Sequence, residues 1–194
     1  LQLSHRAKPS SSSFKYSVGG NIAYAKSNII YLSEAQNVPS YQKSEGKMLG
    51  SELYYDAIGI IRTEEELQNS ALYPGTKLGD LKYRDVDANG IIDARDRVRL
   101  ERSNIPQLTF GVNGSLSYKQ FALFANFAGQ ARAWQYIHQY AAVAINTLED
   151  FIVNRYRTGS MDSKYPKLPI TSSIGAEPSS LQSTFWLQDA TFVR

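Results

Sequence analysis

The stretch LTFGVNGSLSYKQFALFANFAG, residues 108–129, decides the fold expected for this chain. From Leu108 to Tyr118, apolar residues alternate with small polar residues at every second position. Lys119 and Gln120 interrupt the pattern, and a second alternating run follows immediately. Alternation of this kind is typical of β-strands with one apolar face, and the very short connection predicts an antiparallel hairpin with strands at about 108–118 and 120–128.

The same alternation appears in FKYSVGGNIAYAK and predicts a strand at about 14–26. In all three runs the residues at the other alternate positions are mostly small and uncharged. The outer face of a soluble sandwich is instead expected to carry Lys, Glu and Arg. A transmembrane β-strand needs about 9–11 residues, apolar toward lipid and polar toward the lumen, with aromatic residues at both interfaces. Strand composition alone leaves both a membrane barrel and a soluble sandwich open, because the signal of a single strand is weak.

The lengths of the connections favour the barrel. STFWLQDATFVR predicts a last strand at about 184–194, so that the long segments 27–107 and 129–183 flank the very short connection at 119–120. Outer-membrane barrels combine short periplasmic turns with long extracellular loops. We therefore expect both long segments to lie on the same, extracellular side.

Composition excludes several classes of function. The 194 residues contain no cysteine, which excludes disulfides and thiolate chemistry. The net charge is +3, and Lys and Arg are scattered along the sequence, so there is no basic cluster of the kind that binds nucleic acid. No catalytic dyad or triad is recognisable, so we expect no enzyme, and Asp80 and Asp189 are interpreted as hydrogen-bonding residues of loops and strand ends. The chain begins at Leu1 and ends after a strand-like run, so we expect a fragment.

The long segments also contain helical signals. In RTEEELQN, Thr63 followed by Glu66 three residues later predicts a capping box at the start of a short helix. A second helix is predicted at about 134–157, because apolar residues recur there at helical spacing. These residues are Trp134, Ile137, Ala141, Ile145, Leu148 and Ile152.

The stretch DVDANGIID, residues 85–93, has the spacing of a calcium loop. Such a loop takes oxygen ligands from positions 1, 3, 5, 7, 9 and 12, with Gly at position 6 for the sharp turn. With Asp85 at position 1, Gly90 falls at position 6, and Ile92 at position 8 is expected to point inward. The predicted ligands are Asp85, Asp87, Asn89, the Ile91 carbonyl, Asp93 and Asp96.

Calcium fits this pattern better than magnesium, because magnesium prefers to keep several of its waters. Asp96 stands where the EF-hand has a bidentate Glu, and this shorter carboxylate resembles dockerin-type loops. The segment before the loop shows no clear helix, which argues against a calcium sensor. We therefore expect structural Ca²⁺ that stiffens a long loop.

Several motifs together resemble SusC/RagA-like TonB-linked outer-membrane transporters. GDLKYRDVDANGIIDARDR is similar to a segment of that family in which a Gly-Asp-Ile-Lys-Tyr-type stretch runs into an acidic glycine loop, and IPQLTFGVNGSLSYKQFALFANFAG resembles the hairpin that follows it. YDAIGIIRTEEEL resembles an upstream stretch, and YPKLP and FWLQDATFVR resemble segments near the C-terminal part. Order and approximate spacing agree over about residues 14–194. Gln120 departs from the family, which has Gly in this turn.

The resemblance implies a fold and a function. The fold class is mainly β, with antiparallel strands forming part of a transmembrane barrel and long loops carrying short helices, and residues 1–194 are a fragment of the C-terminal half of the receptor barrel. The family imports glycans or peptides through the outer membrane of Gram-negative bacteria. The implied partners are a SusD-like surface lipoprotein, TonB through the missing N-terminal part, an oligosaccharide or peptide substrate and outer-membrane lipid.

An alternative function is a soluble β-domain that binds carbohydrate or protein and carries a structural calcium loop. The two interpretations differ in what covers the apolar side of the strand, which carries Phe14, Tyr16, Val18 and Ile22. In a sandwich this side faces a second sheet, and in a barrel it faces lipid.

Overall fold

The computed structural model describes residues 1–6, 14–137, 153–167 and 178–194. Among these residues, the strands are connected mainly by turns and short helices. In chain order the strands are β1 (Gln2–Arg6), β2 (Phe14–Tyr24), β3 (Glu52–Tyr55), β4 (Ala57–Ile60), β5 (Leu81–Tyr83), β6 (Arg97–Leu100), β7 (Leu108–Tyr118), β8 (Phe121–Ala131), β9 (Trp134–Tyr136), β10 (Leu187–Asp189) and β11 (Phe192–Val193).

The largest sheet has five antiparallel strands in the order β1-β2-β7-β8-β11. β2 and β7 pair without a register shift over their full length, from Phe14 opposite Tyr118 to Tyr24 opposite Leu108. β7 and β8 form the expected hairpin around Lys119 and Gln120, and Lys119 takes the left-handed backbone conformation with φ 53°. The predicted fold class, mainly β with antiparallel strands and short helices in long connections, is confirmed.

Because the register is unbroken, the two sets of alternate residues form two continuous faces of this sheet. One face carries the large apolar side chains, and we call it the apolar face. The other carries mostly Ser, Asn, Gly, Thr and Ala, together with Lys15, Gln130 and Phe124, and we call it the polar face. From β2, β7 and β8 the apolar face contains Phe14, Tyr16, Val18, Ile22, Tyr24, Leu108, Phe110, Val112, Leu116, Tyr118, Phe121, Leu123 and Phe127.

A separate hydrophobic core lies within the long connections, and we call it the loop core. Its buried members are Tyr55, Ile60, Leu81, Tyr83, Ile92, Tyr156 and Trp186. They come from β3, β4, β5, the acidic loop and the two C-terminal segments. Among the described residues, no hydrophobic side chain of β2, β7 or β8 belongs to this core. The long segment 27–107 is therefore a folded unit with four short strands, β3 to β6, which the sequence did not indicate.

The helix α1 (Glu64–Asn69) begins as the sequence predicts. The Thr63 side chain accepts a hydrogen bond from the Glu66 amide, and the Glu66 carboxylate accepts one from the Thr63 amide, which completes the capping box. Hydrogen bonds from the Arg62 amide, which contributes most, and from the Thr63 amide hold the pKa of the Glu66 carboxyl below its usual value. Within the described ranges, no helix is long and apolar enough to cross a membrane.

The helix expected at 134–157 is wrong at its beginning and at its end, where Arg155 forms a β-bridge with Tyr165. Trp134 to Tyr136 form strand β9, which pairs antiparallel with β10. The Ile137 amide donates to the Trp186 carbonyl at 2.8 Å and continues this pairing. Pairing with a segment 50 residues away therefore overrides the local helical spacing. Residues 138–152, which include the remaining apolar positions of the predicted helix, lie outside the described residues.

The strand expected at 184–194 is also corrected. Thr184 to Trp186 form a turn of 3-10 helix, and the chain then forms two strands in different sheets, β10 with β9 and β11 with β8. The break between them has a local cause. The Asp189 carboxylate accepts hydrogen bonds from the Thr191 amide at 2.8 Å and the Thr191 hydroxyl at 2.6 Å, which turns the backbone after β10.

Candidate metal loop and candidate membrane face

The acidic loop is folded by its own side chains. The Asp85 carboxylate accepts hydrogen bonds from the Asn89 amide at 3.2 Å and the Gly90 amide at 2.8 Å. The Asn89 side-chain oxygen accepts one from the Ile91 amide at 2.8 Å. Gly90 has φ +84°, a left-handed conformation that favours glycine, and this explains the residue at position 6.

Asp96 joins the two ends of this loop. Its side chain is fully buried, and its two oxygens accept the Val86 amide and the Asp93 amide, both at 2.7 Å. Asp93 in turn caps the 3-10 turn 94–96 by accepting the Arg95 amide at 2.6 Å. Asp96 thus links the two ends of the loop by hydrogen bonds and is also the candidate ligand at position 12.

Three of the six predicted ligands converge. Oxygen atoms of Asp85, Asp87 and Asp96 lie within 4.8 Å of one another, and Asp93 is not a member of this acidic group. Because Ca²⁺ binds oxygen at about 2.3–2.6 Å, two ligands on opposite sides of the ion lie roughly 4.6–5.2 Å apart. The three carboxylates are hard oxygen donors at a spacing that fits this ion. The side-chain oxygen of Asn89 lies in the same turn, and the Ile91 side chain is exposed.

The loop is anchored to the rest of segment 27–107. Ile92 has no exposed surface and packs in the loop core, as its position 8 predicts. The Gln42 side-chain amide lies within 2.9 Å of the Ala94 and Arg97 carbonyls. Burial raises the pKa of the nearby Tyr41, and the Asp87 and Asp96 carboxylates add to this effect. The close approach of three carboxylates places negative charge in this loop that a cation would neutralise.

A second carboxylate, Asp80, holds the loop core together. It is fully buried, and its Oδ1 accepts the Ser179 hydroxyl at 2.8 Å. Its Oδ2 accepts the Lys77 amide at 2.8 Å and pairs with the Lys167 ammonium at 3.0 Å. The sequence indicated hydrogen bonding for Asp80 but not its burial, because Lys167 and Ser179 are distant in sequence.

The apolar face of the sheet is open. The exposed fraction is 53% for Val18, 65% for Leu123 and 55% for Phe127. Aromatic residues lie at both ends of this face, with Phe14, Tyr118 and Phe121 near the Lys119–Gln120 turn and Tyr24 at the opposite end. The Arg132 guanidinium lies 5.7 Å from the Tyr24 ring centroid. An apolar band between two aromatic borders is the pattern of a lipid-facing surface of a β-barrel.

Comparisons with known proteins agree with this pattern. No protein-family model matches the chain. Over 72 residues, 37% of the chain, the sequence is 36% identical to the TonB-dependent receptor P26 of Formosa agariphila, and the match covers 7% of that receptor. The structure of the RagAB peptide transporter matches the whole chain with a TM-score of 0.61 at 17% identity, over 21% of the transporter chain. The RagAB peptide importer in its 'open-open' state matches with a TM-score of 0.60 at 17% identity, over 20% of that chain.

The chain is similar to a portion of a SusC/RagA-like TonB-dependent transporter. The resemblance expected from the motifs is confirmed. At 17% identity the RagAB match concerns the fold, and the chain spans about a fifth of the transporter chain that it matches.

In this chain, the motif GDLKYRDVDANG corresponds to strand β5 and the start of the acidic loop, and IPQLTFGVNGSLSYKQFALFANFAG to the β7–β8 hairpin. A pocket at the end of the sheet opposite the Lys119–Gln120 turn was not predicted from the sequence. It lies beside β3 and β9 and includes Arg102 and Trp134. Neither residue belongs to a recognisable motif, and Trp134 was assigned to a helix.

Proposed function

We propose that this chain is the barrel portion of a TonB-dependent transporter in the outer membrane of a Gram-negative bacterium. The open apolar face of the five-stranded sheet carries this proposal. Its large side chains alternate with mostly small polar residues along strands of 11 residues, and this is the length that a membrane strand needs. The soluble alternative requires a second sheet over this face, and the core of the described residues lies elsewhere.

We propose glycans or peptides as substrates of the whole receptor. The RagAB match supports a peptide, because RagAB is described as a peptide transporter. A SusD-like surface lipoprotein would capture the substrate, and TonB would act through an N-terminal part of the receptor. The long segments 27–107 and 129–183 would then face the cell exterior, because β2, β7 and β8 connect to them at the edge of the sheet opposite the short Lys119–Gln120 turn.

Uptake by the complete receptor tests this proposal. Cells that carry the receptor and its flanking genes should accumulate fluorescent oligopeptides or oligosaccharides, and deletion of either the receptor or TonB should abolish accumulation. Equal uptake in the TonB deletion strain would contradict energised transport.

We also propose that the acidic loop binds structural Ca²⁺ through Asp85, Asp87 and Asp96, with Asn89, the Ile91 carbonyl and Asp93 as the further predicted ligands. The spacing of the three carboxylate oxygens supports this proposal. Bound Ca²⁺ would neutralise these carboxylates and stiffen a segment that already packs through Ile92 and Asp96.

Titration of the purified receptor with calcium tests the loop. We expect Asp87→Asn to lower the affinity by at least tenfold, because calcium affinity follows the charge of the ligands, and Asp87 is exposed and makes few bonds that folding needs. Asp162→Asn, an exposed carboxylate outside the loop, should leave the affinity unchanged. Isothermal titration calorimetry that detects no calcium binding, or equal binding by the wild type and Asp87→Asn, would remove the metal proposal.

A further inference from the structure

A pocket of about 210 Å³ opens at the end of the sheet where the long connections emerge. Its walls come from β3, from the segment between β6 and β7, and from β9, and they include Glu52, Arg102 and Trp134. Pockets that hold drug-sized ligands have volumes of about 300–1,000 Å³, so this smaller pocket has room for one residue of a longer ligand. In the proposed orientation it lies on the extracellular side, where a captured substrate would enter.

Arg102 is the distinctive group of this pocket. Its guanidinium lies over the indole of Trp134, 4.1 Å from the ring centroid, and both side chains are half-buried. Within the described ranges, no hydrogen bond or ion pair joins the Arg102 side chain to another residue. The neighbouring Ser103 carbonyl accepts a hydrogen bond from the Trp134 backbone amide at 2.8 Å and fixes the backbone of Trp134 beside Arg102.

We propose that this pocket binds a carboxylate side chain of a transported peptide, with Arg102 as the residue that recognises it. A guanidinium that is stacked on an aromatic ring presents its planar donors in fixed geometry and binds a carboxylate through two parallel hydrogen bonds. Asn104, an exposed pocket residue with an amide donor, is placed to add a third. The inference rests on the proposed transport function and specifies the substrate chemistry of one subsite.

The pocket also contains an acidic side chain, Glu52. The Glu52 carboxylate accepts the Gln182 side-chain amide at 2.6 Å and the Tyr54 hydroxyl at 3.3 Å. Two donors therefore partly neutralise Glu52, which lowers its repulsion of a bound carboxylate. Its remaining charge disfavours a second carboxylate in so small a pocket.

The aromatic residues favour a peptide over a sugar. A pyranose ring is usually recognised by stacking on an open aromatic face. Here the guanidinium of Arg102 covers one face of Trp134, and Tyr54 is only 4% exposed, with its ring packed 5.9 Å from that of Tyr136. Burial raises the pKa of Tyr136 to about 12, so its hydroxyl stays protonated and adds no competing negative charge.

Binding to the complete purified receptor tests the proposal. The probes are two pools of acetylated, amidated heptapeptides that differ only in carrying a fixed Asp or a fixed Asn, so that the Asp side chain supplies the difference in charge. Fluorescence anisotropy should show that the wild type binds the Asp pool on the order of tenfold more tightly. Arg102→Gln should abolish this preference, and Arg102→Lys, which retains the charge without the planar fork, should retain only part of it.

Several outcomes would overturn the inference. They are a wild type that binds both pools equally, an Arg102→Gln variant that loses affinity for both pools equally, and a preference that depends on Arg102 for a uronate oligosaccharide alone. If Arg102→Gln does not fold, as judged by its thermal transition, a full preference in Arg102→Lys contradicts the bidentate contact. TonB-dependent uptake of the Asn pool is measured in parallel, so that a failed subsite is distinguished from a failed transport function.

Discussion

Phe127→Arg is expected to prevent assembly of the receptor in the outer membrane. Phe127 lies near the middle of β8 on the apolar face, and its side chain is 55% exposed. An arginine on the lipid face near the bilayer midplane costs about 2–4 kcal/mol. We expect the folded, heat-modifiable form in outer-membrane fractions to fall at least tenfold on semi-native gels.

Asn126→Arg is the matched control for this change. Asn126 is the preceding residue of the same strand at almost the same depth, but it lies on the polar face, opposite Asn113. In the proposed barrel a charge there would face the lumen, so we expect near-normal amounts of folded receptor. Equal loss in both variants, or loss in Asn126→Arg alone, would contradict the assignment of the two faces.

Asp80→Ala is expected to destabilise the loop core by about 3 kcal/mol. The change leaves the Lys77 amide and the Ser179 hydroxyl without their acceptor, and it leaves the Lys167 ammonium without its partner. Loss of one member of a buried charged network costs roughly 3–5 kcal/mol, and the partial exposure of Lys167 places this case at the lower end. Hydrogen–deuterium exchange of the complete receptor should show faster exchange at strand β5 and around Ser179.

Asp189→Ala provides the control for the loop core. Asp189 also accepts two hydrogen bonds, both from Thr191, but it is exposed, so that water can replace the lost contacts. We expect local exchange near Thr191 to increase and strand β5 to remain protected. Unchanged protection of strand β5 in Asp80→Ala would show that the buried carboxylate does not hold the loop core.

The long strands could be predicted from the sequence, and the short ones could not. β2, β7 and β8 each repeat an alternation over 11 residues, and their pairing partners have the same pattern. β9 has only three residues, and its pairing with β10 depends on contacts across a long connection. Trp134 and Ile137 have the spacing of a helix face, so local periodicity gives the wrong element there.

The candidate sites divide in the same way. A calcium loop is a local pattern, so Asp85, Asp87 and Asp96 could be selected from their positions. Asp96 also accepts hydrogen bonds from the Val86 and Asp93 amides. This role depends on the folded loop and could not be predicted from the spacing. The pocket at Arg102 and Trp134 joins residues from separate strands and carries no signature in the sequence.

Lipid-dependent fluorescence quenching tests the central claim most directly. The chain has no cysteine, so Phe127→Cys and Asn126→Cys, made in the complete receptor freed of any other cysteine, each give one site for a bimane label. In bilayers that contain brominated lipids, we predict strong quenching of the label at position 127 and little at position 126, because adjacent strand residues face opposite sides. Equal quenching at both positions, or quenching at position 126 alone, would contradict the claim that the apolar face contacts lipid.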